Sequence, residues 1–165
     1  MTPKVCFAAI VVLALAVVAC RQPDGEVPAP NATVEEELVD VSRDLQYIAS
    51  GSDPGAANDL AADLRKYTSR TSALPAVDEL SARAAAAVGG TKLTQQTADQ
   101  LARNLWLSVA ARDMSERQVE GLQNETQSLL MSIGIPEDRA APVAAQVGEV
   151  QRAVTDRPRR WYEFF

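Results

Sequence analysis

The 165 residues contain no histidine, only two cysteines, only three lysines and only eight aromatic side chains. Each scarcity removes a class of chemistry. Without histidine the chain lacks the side chain that most often moves protons near neutral pH, and it lacks a principal nitrogen ligand for zinc. Cys6 and Cys20 both fall within the first 20 residues, so the rest of the chain holds neither a disulfide nor a thiolate nucleophile. No apolar run reaches the roughly 20 residues that a membrane-spanning helix needs, since the longest, Phe7 to Val18, gives way to Cys20 and the polar, helix-breaking Arg21-Gln22-Pro23-Asp24-Gly25. A sustained alternation of apolar and polar residues, the mark of strands, is also missing.

The charge balance is equally one-sided. A formal charge of -6 disfavours nucleic acid and anionic lipid as general partners. No glycine-rich phosphate loop is present, and no spacing of carboxylates, serines or lysines singles out a catalytic set. Ser108, Ser115 and Ser128 read as helix caps or helix-surface residues. The expectation is a protein that is not an enzyme, with no cofactor and no metal.

What is present begins with the N-terminus, where Lys4, the apolar stretch Phe7 to Val18 and the small Ala19 have the three-part layout of an export signal. Removing such a segment takes away Lys4 and moves the charge from -6 to -7. Val17, Val18, Ala19 and Cys20 resemble the bacterial lipobox position by position: an aliphatic residue, a tolerant position, a small residue and the obligatory cysteine. The resemblance implies cleavage after Ala19 and a diacylglycerol joined to Cys20 by a thioether, with fatty acids such as palmitate as the membrane anchor. Because Arg21, and not aspartate, follows the cysteine, it further implies delivery to the periplasmic side of the outer membrane. Two or more acyl chains would hold such a protein essentially permanently, at about 0.8 kcal/mol for each buried methylene.

Residues 20–32 carry Pro23, Gly25, Pro28 and Pro30 and read as a stiff tether, able to lift the remainder of the chain by roughly 35 Å in a polyproline-like form. Residues 33–156 then read as an all-α bundle of five or six short antiparallel helices. Thr33-x-x-Glu36 forms a capping box ahead of the seam Val34, Leu38, Val41, Leu45 and Ile48. The acids Glu35, Glu36, Glu37, Asp40 and Asp44 read as a solvated face. Asp53-Pro54 predicts a second start, with Ala57, Leu60, Ala61, Leu64 and Tyr67 inward. Pro75 opens a third helix on Val77, Leu80, Ala84 and Val88, ended by Gly89-Gly90.

Leu93-Thr94 and Met114-Ser115 each pair an apolar residue with a hydroxyl cap, the hydrophobic staple, and start helices four and five. Helix four is expected to bury Leu101, Leu105 and Val109 with Trp106 at its flank. Helix five is expected to bury Val119, Leu122, Thr126, Leu129, Leu130 and Ile133 before the glycine stop Gly134-Ile135-Pro136. Helix six comes next, with Pro142 in or near its first turn and Val143, Val147, Val150 and Val154 inward.

The last nine residues, 157–165, break the pattern. Arg157, Arg159 and Arg160 precede Trp161, Tyr162, Phe164 and Phe165, which are half of all the aromatics. One use for such a tail is to fold back and fill the alanine-lined space between the helices. The other is docking, since arginine and rigid aromatics are the residue types that most often dominate interfaces, which makes Arg159, Arg160, Trp161, Tyr162, Phe164 and Phe165 the candidate partner-binding residues. Val34, Leu38 and Val41 on the first helix form a second candidate surface. The functional expectation is an envelope lipoprotein acting as a non-enzymatic adaptor or accessory subunit, bound to the membrane through Cys20 and to a protein partner. The alternative expectation is a periplasmic carrier or sensor of a small apolar ligand held between alanine-rich helices.

Overall fold

A computed structural model describes residues 32–68 and 70–155, with side chains from Leu38 onward. Six α-helices account for most of them, and no strand occurs among the described residues. They are α1 (Ala32–Ser50), α2 (Ala56–Tyr67), α3 (Leu74–Val88), α4 (Gln95–Ala110), α5 (Glu116–Ser132) and α6 (Glu137–Thr155). The expected all-α bundle is therefore what forms. Its helices pack in a closed circuit, α1 on α2, α2 on α3, α3 on α6, α6 on α5, α5 on α4 and α4 back on α1. Helix α4 also touches α2 and α6, so it packs against every other helix except α3.

The seams read from periodicity are those that are buried. Val77, Leu80, Ala84 and Val88 of α3, Leu101 and Leu105 of α4, and Val143, Val147 and Val150 of α6 have no exposed surface. Leu129 and Ile133 lie at the core's edge, half-buried. Trp106 sits at the flank as expected, edge-on to Tyr67 with ring centroids 6.2 Å apart.

The stops and starts also follow local chemistry. Thr94 and Ser115 accept the backbone N–H of Thr97 and Gln118, and the Gln118 side chain accepts the Ser115 N–H in return to complete a capping box. Gly134 ends α5 with φ +86°, its N–H donating to the Met131 carbonyl while the Ile135 N–H donates to that of Leu130. Those two bonds define a Schellman stop, and Ile135 folds back into the core at 2% exposure.

Three expectations need correction. Ala57 is exposed and Ala56 is buried, because Asp53 accepts the Gly55 N–H at 2.7 Å and the residues after it form a turn before the regular helix begins. The inward face of α2 is therefore Ala56, Leu60 and Leu64. Pro142 is the sixth residue of α6, one turn deeper than expected. The carbonyl of Pro136 already accepts from the N–H groups of Arg139 and Ala140, so the helix is under way before the proline. A proline in a helix interior costs about 3 kcal/mol, partly relieved here because the acceptor it leaves unpaired belongs to Asp138, in the exposed first turn. The cap expected at Thr33 falls one residue inside α1, and the side chains of that first turn lie outside the described residues.

Candidate functional site

Cys20 and the whole tail, Arg159, Arg160, Trp161, Tyr162, Phe164 and Phe165 included, lie outside the described residues. The second candidate surface does not survive as drawn. Leu38 is 8% exposed and Val41 is fully covered, because α2 and α4 close over the α1 seam, while the side chain of Val34 lies outside the described residues. Ser108 is also not at a helix surface. It is fully buried and donates to the Leu105 carbonyl at 2.6 Å.

Helix α1 runs antiparallel to α4. Ser42 donates to Asp99 and, one turn further along α1, Gln46 donates to Gln95, both at 2.6 Å. Beside these pairs lies a groove of about 720 Å³, open to solvent, where Leu38 and Val39 face Gln96, Gln100 and Arg103 of α4. Val39 is 57% exposed, the most exposed large apolar side chain among the described residues.

The opposite flank of α1 holds the most unusual electrostatics. Asp40 and Asp44 from α1, Asp53 from the connecting turn, and Asp59 and Asp63 from α2 line one depression of about 370 Å³. Arg43 pairs with Asp40 and Lys66 with Asp63, so both basic groups in its wall are already engaged. Asp44 was expected on a solvated face. Instead it is 6% exposed, and its Oδ2 is buried with no hydrogen-bond partner. Burial above all, then the neighbouring charges of Asp63 and Asp59, pushes its carboxyl up to about 6, while Arg43 pulls the other way and Asp40 adds a small further push.

A hint of this was legible. Asp44 follows Val41 by three and directly precedes Leu45, which puts it at the margin of the apolar seam. What decides its burial is α2 folding back against that margin, a non-local event that periodicity along α1 does not report.

Buried glutamines were missed as well. Gln151 is 1% exposed, and its Nε2 lies 3.0, 3.1 and 2.6 Å from the carbonyl oxygens of Leu107, Ser108 and Ala111, two N–H groups shared among three acceptors at the end of α4. It caps a helix that has no basic residue in its last turn. The Nε2 of Gln146 likewise donates to the Ala76 carbonyl at 3.0 Å, tying α6 to α3. The signal for Gln151 was its place four residues beyond Val147, on the inner stripe of α6.

Among the described residues no group of three acidic side chains could hold a metal ion, and no helix is long and apolar enough to cross a membrane. No family model, curated protein or solved structure matches this chain.

Proposed function

We propose that this protein is an outer-membrane lipoprotein, anchored through acyl chains on Cys20 and facing the periplasm, that serves as a non-enzymatic adaptor in a cell-envelope assembly. The observation that carries the reading is the juxtaposition of Val17-Val18-Ala19-Cys20, a proline-bearing tether and a helical bundle whose first helix starts at Ala32. The anchor would confine the bundle to one surface and raise its effective concentration beside a partner there without any new contact. The C-terminal arginines and aromatics are the residue types suited to docking that partner.

The alternative, a carrier of a small apolar ligand, has the α1–α4 groove as its best location. That groove is open to solvent and not enclosed between helices, and glutamine, aspartate and arginine stand beside its apolar surface, which fits docking of a protein better than storage of an apolar molecule. The adaptor reading is therefore preferred.

Metabolic labelling with an alkyne fatty acid tests it, comparing the natural chain with Cys20→Ser. Label in the first and neither label nor signal cleavage in the second is the expected result. Normal processing and membrane retention of Cys20→Ser would overturn the anchor. In-cell crosslinking of the labelled chain and of a Trp161→Ala/Phe164→Ala/Phe165→Ala variant then tests the adaptor role. One envelope protein captured by the first and lost from the second is expected, and identical capture by both would remove the tail from the account.

A further inference from the structure

We infer that the depression between α1 and α2 is a binding site for a guanidinium group, with Asp44 as its buried anchor. Three observations meet there. The first is charge: five carboxyl groups stand against Arg43 and Lys66, a balance of -3 when all are ionised, and each basic group is already held by one of the acids.

The second is the unpartnered carboxylate. Asp44 lines the depression, is nine-tenths buried and leaves Oδ2 without a donor. A buried carboxyl group without a donor is costly, and more so when charged, so a cation with N–H donors seated against Asp44 offsets that penalty.

The third is shape, which separates an organic cation from a metal. No three of the described acidic side chains stand close enough to hold one ion, so the carboxyl groups surround a space without converging on a point. A volume of about 370 Å³ admits a side chain. Guanidinium fits that layout because its five N–H donors radiate in a plane and reach separate acceptors, whereas an ammonium is a compact point charge. Tyr47, 40% exposed at the same site, adds a ring face over which a guanidinium can stack. The source is either a guanidinium from another molecule or one of the chain's own Arg157, Arg159 and Arg160.

Titration of the full chain, held in a non-ionic detergent, with agmatine tests the site by following backbone amide resonances. Saturable shifts confined to residues 40–66 are expected, with affinity at least about tenfold weaker in Asp44→Asn, whose near-identical shape preserves the fold. Asp59→Asn, at an exposed position, should weaken binding less and serves should Asp44→Asn fail to fold. In a variant with Arg157, Arg159 and Arg160 all changed to glutamine, tighter agmatine binding identifies the tail as the natural occupant, and unchanged binding identifies an outside molecule. Shifts that do not saturate, an affinity indifferent to Asp44→Asn and Asp59→Asn, or displacement of agmatine by equimolar calcium would each overturn the inference.

Discussion

Where α4 meets α6, the fold buries a glutamine, and where α1 meets α2 it buries an aspartate. Gln151 brings its amide N–H groups to three helix-terminal carbonyls and leaves only a neutral oxygen, its Oε1, unpartnered. Asp44 brings a carboxyl group among four other acids and leaves a charge-bearing oxygen with no donor. Burial is nearly the same in the two places and its consequence is opposite. The first side chain closes a gap that helix geometry leaves open, since the last four carbonyls of any helix lack intrahelical partners. The second opens one, and a fold that carries an unsatisfied charge beside a solvent-filled depression has a place for a complementary group.

The contrast breaks most visibly at Gln151. Gln151→Leu roughly keeps the volume and removes the donors, so chemical denaturation should show a loss of about 2–3 kcal/mol, the cost of leaving the Ser108 and Ala111 carbonyls unpaired while that of Leu107 still accepts the Ala111 N–H. A loss below about 0.5 kcal/mol would mean that the glutamine is incidental to the α4 terminus.

Asp44→Asn should move stability the other way. The folded protein holds a proton on Asp44 up to about pH 6, whereas the unfolded chain releases it near the ordinary value of 3.8. Between those limits the native state binds more protons than the unfolded one, so the Asp44 contribution to stability falls as pH rises and is least favourable above pH 6. Asp44→Asn should thus stabilise the protein at pH 7.5 by about 1–2 kcal/mol, a figure that allows for screening by water in the open depression, and the gain should vanish as pH falls toward 4. Thermal melts of both proteins across that range check the sign.

The smallest effect is expected in a region neither junction touches. Gly134 adopts φ +86° with nothing within 4 Å of the place a Cβ would occupy, so Gly134→Ala meets no collision and costs only the left-handed backbone, about 1 kcal/mol by denaturation. A cost several times larger would show that the turn between α5 and α6 is tighter than its bonds indicate.

These cases also mark how far the sequence could be read. Helices α3 and α6 were legible because their buried residues recur on one stripe and their ends carry local chemistry, Pro75 and Gly89 for α3 and the Gly134-Ile135-Pro136 turn before α6. The inward face of α2 begins one residue away from the expected one, since Asp53 caps a turn that only afterwards becomes regular helix. Asp44 and Gln151 were legible only as interruptions at the margin of apolar stripes. A polar residue there faces solvent or a neighbour according to which helix packs against it, and that is decided by α2 for one and α4 for the other.

The most direct measurement is the carboxyl titration of Asp44 by carbon-detected NMR, with and without agmatine. A midpoint near 6 in the free protein that drops toward the ordinary carboxylate range on saturation is the predicted result. A midpoint near 3.8 in the free protein, unmoved by agmatine, would contradict both the buried charge and the site built around it.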